Sequence, residues 1–185
     1  MDSDKKKSVY RYGGEYGRYM GIYFIVMSAC LLASPRVAGL FLVMAALLPV
    51  FPYLLYRFLK KIYRDAPYLR SFSALWTGGI MITICGCLIC SLVTALWLIY
   101  VQPNFFSDYL RMAIEAVQAS GQAAEYKDNI ELMQTALDKG VVPTAFQFIL
   151  SMIWSTVLLG SIISMACAWA LMASGRRRLI KDSGL

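Results

Sequence analysis

Residues 76–101 read WTGGIMITICGCLICSLVTALWLIYV, with no Asp, Glu, Lys, Arg or His in the run. A helix rises about 1.5 Å per residue and the hydrocarbon core of a bilayer is about 30 Å thick, so roughly twenty such residues cross it. Three further uncharged stretches lie at 19–33, 37–56 and 144–174. In a chain of 185 residues they raise the apolar share to 59% and the mean hydropathy to +0.58, beyond what a soluble domain of this size carries. The expected fold is an all-α integral membrane protein: a four-transmembrane-helix bundle with spans at 19–34, 37–56, 76–101 and 144–174. The first stretch is short. It reaches across only if Gly17 and Arg18 stand at the interface, with the arginine snorkelling to the headgroups.

The connections follow from what is left between the spans. Ser34-Pro35-Arg36 leaves room for a tight turn, so the first two spans form a hairpin. Met27-Ser28-Ala29-Cys30 resembles a weak lipoprotein cleavage box, but more membrane sequence follows Cys30, so we expect no processing there. Positive residues in short flanking segments stay cytoplasmic. Lys5, Lys6, Lys7, Arg11 and Arg18 occupy the 1–18 segment. Arg57, Lys60, Lys61, Arg64 and Arg70 occupy the 57–75 loop, and Arg176, Arg177, Arg178 and Lys181 the 175–185 tail. These are fourteen of the eighteen cations, all on one side of the predicted topology. Both termini are therefore expected in the cytoplasm, with the chain in a bacterial inner membrane. The net charge of +7 reads as a topology signal and an attraction to anionic lipid at the cytoplasmic face, with no nucleic-acid partner implied.

The 102–143 segment is then extracytoplasmic, and acidic residues outnumber its cations. Phe105, Phe106, Tyr109, Leu110, Ala113, Ile114 and Val117 recur along one face of a helix, with Pro103-Asn104 as its start and Ser120-Gly121 as its stop. Ile130, Leu132, Met133, Ala136 and Leu137 mark a second amphipathic helix, closed by Gly140 and Pro143. Neither can bury its stripe alone. A helical hairpin closing on itself is the expected arrangement. The outer leaflet or a second envelope protein is the alternative cover, and Phe105, Phe106, Tyr109, Leu110, Ile114 and Val117 form the candidate partner face.

Interior residues offer packing more than chemistry. Five cysteines, at 30, 85, 87, 90 and 167, all fall within spans. At about 100° per residue Cys87 and Cys90 share a face while Cys85 points away, and no histidine exists to complete a metal set. We expect no metal, no cofactor and no catalytic constellation. Small residues that let helix backbones approach in lipid recur at Thr156, Gly160, Ser164 and Ala168, at Gly79 and Thr83, and at Gly86, Cys90 and Thr94. The third and fourth spans are expected to meet along these rows inside one bundle, although a homo-oligomer would use the same pattern. Pro49 and Pro52 favour a kink late in the second span.

At the cytoplasmic edge, cations alternate with tyrosines. Arg11, Arg18, Arg57, Lys60, Lys61, Arg64 and Arg70, beside Tyr16, Tyr19, Tyr56 and Tyr63, are candidate contacts for lipid headgroups. Interfacial anchoring is the expected use, and a dedicated pocket for an anionic head would employ the same residues.

Tyr63-Arg64-Asp65, Ser71-Phe72-Ser73, the run 101–106 (VQPNFF) and Gly160-Ser161-Ile162-Ile163-Ser164 give nearly the whole chain a resemblance to a small bacterial four-span inner-membrane family catalogued as a domain of unknown function. The resemblance carries over no catalytic residues and implies an envelope role. The leading functional expectation is a non-enzymatic envelope assembly or scaffold subunit. The alternatives are a homo-oligomeric conduit for a small uncharged or lipid-like solute, and a lipid-handling protein or enzyme at the cytoplasmic interface.

Overall fold

Apolar runs of this length form helices in lipid, because only a helix satisfies its own backbone hydrogen bonds there. A computed structural model describes residues 8–34, 37, 39–119, 127–140 and 143–182, without the side chains of 41 and 175–182. Within them the elements are α1 (Val9–Ala33), α2 (Gly39–Leu47), α3 (Val50–Asp65), α4 (Phe72–Leu96), α5 (Phe105–Ala119), α6 (Lys127–Asp138) and α7 (Ala145–Asp182). There is no strand among the described residues. Four helical stretches are long and apolar enough to cross a membrane: Val9–Ala33, Leu42–Asp65, Phe72–Val101 and Ala145–Ser174. The chain is thus an all-α, multi-pass membrane protein. The turn expected at Pro35-Arg36, the stop at Ser120-Gly121, the side chains of the basic tail and Lys5 to Lys7 lie outside the described residues.

Two helices run further than the charge-free stretches. α1 starts at Val9, ten residues before the expected edge of the first span, capped by Ser8, whose hydroxyl accepts from the Arg11 amide at 3.4 Å. Its early turns are helical because they have something to pack on. Tyr12, Gly13, Tyr16, Gly17, Met20 and Gly21 form one buried face. Likewise α3 runs on through the segment expected as a loop from residue 57, ending at Asp65. Phe51, Leu55, Leu59 and Ile62 continue its buried face while the cations occupy the other side. A search for uncharged runs stops at the first Arg or Lys and overlooks this amphipathic continuation.

α4 is the central helix. It buries Leu75, Gly78, Gly79, Ile82, Thr83, Gly86, Cys87, Cys90, Ser91 and Thr94, with α1 packed along one side and α7 along another. A β-carbon on Gly13, Gly17 or Gly21 would run into Met81, Cys85 or Ile89 respectively. The constant offset of 68 in residue number makes α1 and α4 parallel. On the far side Gly79 meets Ser164 and Gly160 meets Thr83, an antiparallel match. Small residues thus bring three helices to backbone contact, the form of association that lipid favours. α4 closes in a π-turn over Trp97–Val101, where the Gln102 amide donates to the Trp97 carbonyl at 3.1 Å.

The core lies toward the end that carries α3 and the start of α1. Met20, Leu55, Leu59, Leu75, Ile82 and Ala168 are all fully buried there, with Tyr12, Tyr16, Phe51 and Leu171 around them. The other half of the second span is separate. α2 ends at Leu47, the chain turns at Leu48 and Pro49, and α3 begins at Val50. Among its described side chains α2 contributes none to the core, and its Leu42 is 71% exposed. Trp169 is exposed to the same extent and Phe146 to 72%, as expected of surfaces that face acyl chains.

Candidate functional site: a cationic groove between α1 and α3

The spacing of Arg57, Lys60, Lys61 and Arg64, at i, i+3, i+4 and i+7, puts all four on one side of α3. Burial of Leu55, Leu59 and Ile62 turns that side outward. Opposite it stands α1 with Tyr16 and Tyr19. Between the two helices is a groove of about 960 Å³ lined by Tyr16, Tyr19, Leu54, Arg57, Phe58, Lys60, Lys61, Tyr63, Arg64 and Arg70.

Its floor is aromatic. Tyr16 stacks on Phe58 with ring centroids 5.0 Å apart, Tyr19 reaches the same ring at 6.5 Å, and Tyr12 continues the stack from Tyr16 at 6.2 Å. Two of the cations lie over rings. The ammonium of Lys61 lies 5.6 Å from the Tyr16 centroid, and the guanidinium of Arg70 lies 5.2 Å from that of Tyr63. Arg70 comes back into the groove because a 3-10 turn over Pro67–Leu69 reverses the chain. Its Nε then donates to the Tyr63 carbonyl at 3.0 Å.

Among the described residues five cations line this groove and no carboxylate does. Arg64 has the neighbouring Asp65, with Nε donating to Oδ1 at 3.1 Å, in an exposed pair. Among the described residues Arg57, Lys60 and Lys61 have no carboxylate within ion-pair reach. Guanidinium and ammonium groups gathered over apolar rings form a receptor for phosphate or carboxylate oxygens. Of the seven candidate headgroup residues, Arg57, Lys60, Lys61, Arg64 and Arg70 meet here. Arg11 lies an α-turn from Glu15, its Nε 3.7 Å from Oε1. Arg18 is exposed, and neither of these two lines the groove.

Residues 15–173 match the model of a family described as proteins of unknown function, DUF4199. The chain belongs to the DUF4199 family. No curated protein and no solved structure matches it. The matched span takes in all ten residues that line the groove and most of each crossing helix.

Elsewhere in this DUF4199 chain the rows of small residues divide between two partners. Gly79 and Thr83 of α4 face Ser164 and Gly160 of α7, whereas Gly86 packs on Met20 and Gly21 of α1. Thr94 also turns to α1, its hydroxyl 2.9 Å from that of Ser28 in a buried pair. The expected meeting of the third and fourth spans therefore holds for one row only. The other row meets the first helix, because α4 lies between the two. The signal for this was in the sequence: Gly13, Gly17 and Gly21 recur every fourth residue, but they straddle the start of the uncharged stretch, Gly13 and Gly17 before it and Gly21 within it. Thr156 and Ala168 lie on the same helix as Gly160 and Ser164, and Ala168 joins the core beside Cys167.

The hydroxyls inside the bundle are engaged. Thr83 donates to the Gly79 carbonyl at 3.0 Å and Ser164 to that of Gly160 at 2.6 Å. Cys87 lies 3.9 Å from the Ser91 hydroxyl, and Cys90 lies 3.8 Å from that of Thr94. Among the described residues every buried side-chain oxygen or nitrogen has a partner, and no three metal-ligating side chains come together.

At the other end of the bundle the candidate partner face is divided. Phe106 packs on Phe148 of α7 at 5.3 Å and edge-on to Phe105, which stacks on Tyr109 at 6.3 Å. Ile114 is buried, Leu110 and Val117 are half-buried, and Tyr109 is 48% exposed. α6 touches α5, yet none of its residues is buried.

Proposed function

We propose that this chain is a non-catalytic module of the bacterial inner membrane that assembles with a second envelope protein through α5 and α6, with the cationic groove and both termini on the cytoplasmic side. The observation behind this reading is the apolar surface of the outer helices that the described residues leave uncovered. Tyr109 is half exposed, Leu132 is 68% exposed, and α6 buries nothing. An amphipathic helix of twelve residues is too short to hold its shape in water without cover for its stripe. The placement of fourteen cations supports the orientation.

Native mass spectrometry of the protein released from nanodiscs tests the reading. The expected result is one further protein in fixed stoichiometry, lost from Tyr109→Glu and Leu132→Glu but retained by a Gly14→Ala control. A bare monomer, or a partner that the outer substitutions do not displace, overturns it. The conduit reading has less support, since the hydroxyls of Thr83, Thr94 and Ser164 are engaged within the bundle. A conduit would have to run between copies.

A further inference from the structure

A second cavity lies further along α1. Tyr16, Tyr19 and Tyr23 stand at i, i+3 and i+7 on α1. The first two line the groove, and Tyr23 lines a second, apolar cleft of about 290 Å³ bounded by Phe24, Met27, Met44, Leu48, Phe51 and Met152, among others. The seam between α1 and α3 carries the ring pairs Tyr19–Phe58, Tyr23–Phe51 and Phe24–Phe51, at 6.5, 6.5 and 5.4 Å. The cleft takes in residues from both sides of the break in the second span, Met44 before it and Phe51 after it. The turn at Leu48 and Pro49 sets α2 against α1, away from the core. From Tyr16 to Met27 the helix rises about 16 Å, the depth of one leaflet.

We propose that this seam binds one anionic phospholipid of the surrounding bilayer, its phosphate in the groove among Arg57, Lys60 and Lys61, and one acyl chain along α1 and α3 into the cleft. The site is independent of the assembly surface at the opposite end of the bundle. Two features select a lipid over a soluble anion. A free phosphate needs only the cations, whereas the aromatic floor and the apolar cleft below it offer contacts that only a hydrocarbon chain uses. The groove also lies on a helix that is itself part of a membrane-crossing stretch, so its mouth stands at headgroup depth. Three cations without carboxylate partners select negative over zwitterionic heads.

The test is lipid retention by the full-length protein in mild detergent, read by native mass spectrometry. The probes are phosphatidylglycerol, phosphatidylcholine with the same acyl chains, and glycerol phosphate as the head without the tails. One phosphatidylglycerol should be retained, at least about tenfold more strongly than phosphatidylcholine. Glycerol phosphate in excess should fail to displace it. K60Q/K61Q, whose side chains are exposed, should weaken retention about tenfold, and Met44→Trp, which fills the cleft, should weaken it for both lipids. Equal retention of the two lipids, or unchanged retention in K60Q/K61Q, overturns the proposal in favour of ordinary boundary lipid. Displacement by glycerol phosphate overturns it in favour of a soluble-anion site. Retention unaffected by Met44→Trp overturns the placement of the acyl chain.

Discussion

The hydroxyl of Tyr23 on α1 donates to the carbonyl oxygen of Leu47 at 2.7 Å, where the second span breaks. Pro49 and Pro52 have no N–H to offer Ala45 and Leu48. The Phe51 amide has turned to the Leu48 carbonyl at 3.4 Å, so Leu47 loses its α-helical donor and Tyr23 replaces it. A carbonyl left without a donor in hydrocarbon is costly, so a side chain on one helix makes the proline break in another tolerable. Tyr23→Phe should lower stability by about 1 kcal/mol and speed amide exchange in α2 ahead of α3. Equal protection in α2 with and without the hydroxyl would show that this bond does not hold the break.

Gly14 and Gly17 are less than one turn apart on α1 and have opposite surroundings. Nothing lies within 4 Å of a β-carbon at Gly14, whereas one at Gly17 would strike the Cβ of Cys85 with the Gly86 backbone 3.5 Å away. Gly17→Ala should therefore cost about 1–3 kcal/mol by forcing α1 from α4. Gly14→Ala should be neutral or gain up to about 1 kcal/mol of helix propensity. Thermal unfolding of both variants in detergent makes the comparison. Similar shifts for the two would mean that α1 does not dock along its glycine row.

The buried hydroxyl pair Ser28–Thr94 joins the same two helices near the opposite end, at 2.9 Å. A double-mutant cycle with Ser28→Ala and Thr94→Val should return a coupling of about 0.6 kcal/mol, a usual value for hydrogen bonds between membrane helices. Additive single effects would mean that each hydroxyl is served equally well elsewhere, Thr94 by Cys90 at 3.8 Å.

Phe106 on Phe148 ties α5 to the start of α7. Removing the ring with Phe106→Ala should raise amide exchange through α5 while α1 and α4 keep their protection, since an aromatic pair contributes about 0.5–1.5 kcal/mol beyond its buried area. Unchanged exchange in α5 would place its support elsewhere.

Much of the architecture was legible in the sequence for one physical reason. In lipid a backbone must satisfy itself, so an uncharged run of sufficient length has only one conformation available. That reasoning yields the four crossings, and the +7 charge with its one-sided placement suggests an orientation. It does not reveal that Arg57 to Arg64 belong to a helix with a buried face, because charge and burial alternate there within single turns.

Pairing was decided by tertiary structure. Small residues in rows announce close approach without naming the partner, and Gly79 and Gly86, two turns apart on α4, face different helices. The groove likewise needs Tyr16 and Lys61, 45 positions apart, to come within 5.6 Å. The sequence by itself determined which segments leave water, since transfer to lipid is a property of each segment's own composition. Which faces meet, and therefore where five cations converge beside an aromatic stack, depends on steric fit between helices distant in the chain, and only the folded bundle supplies it.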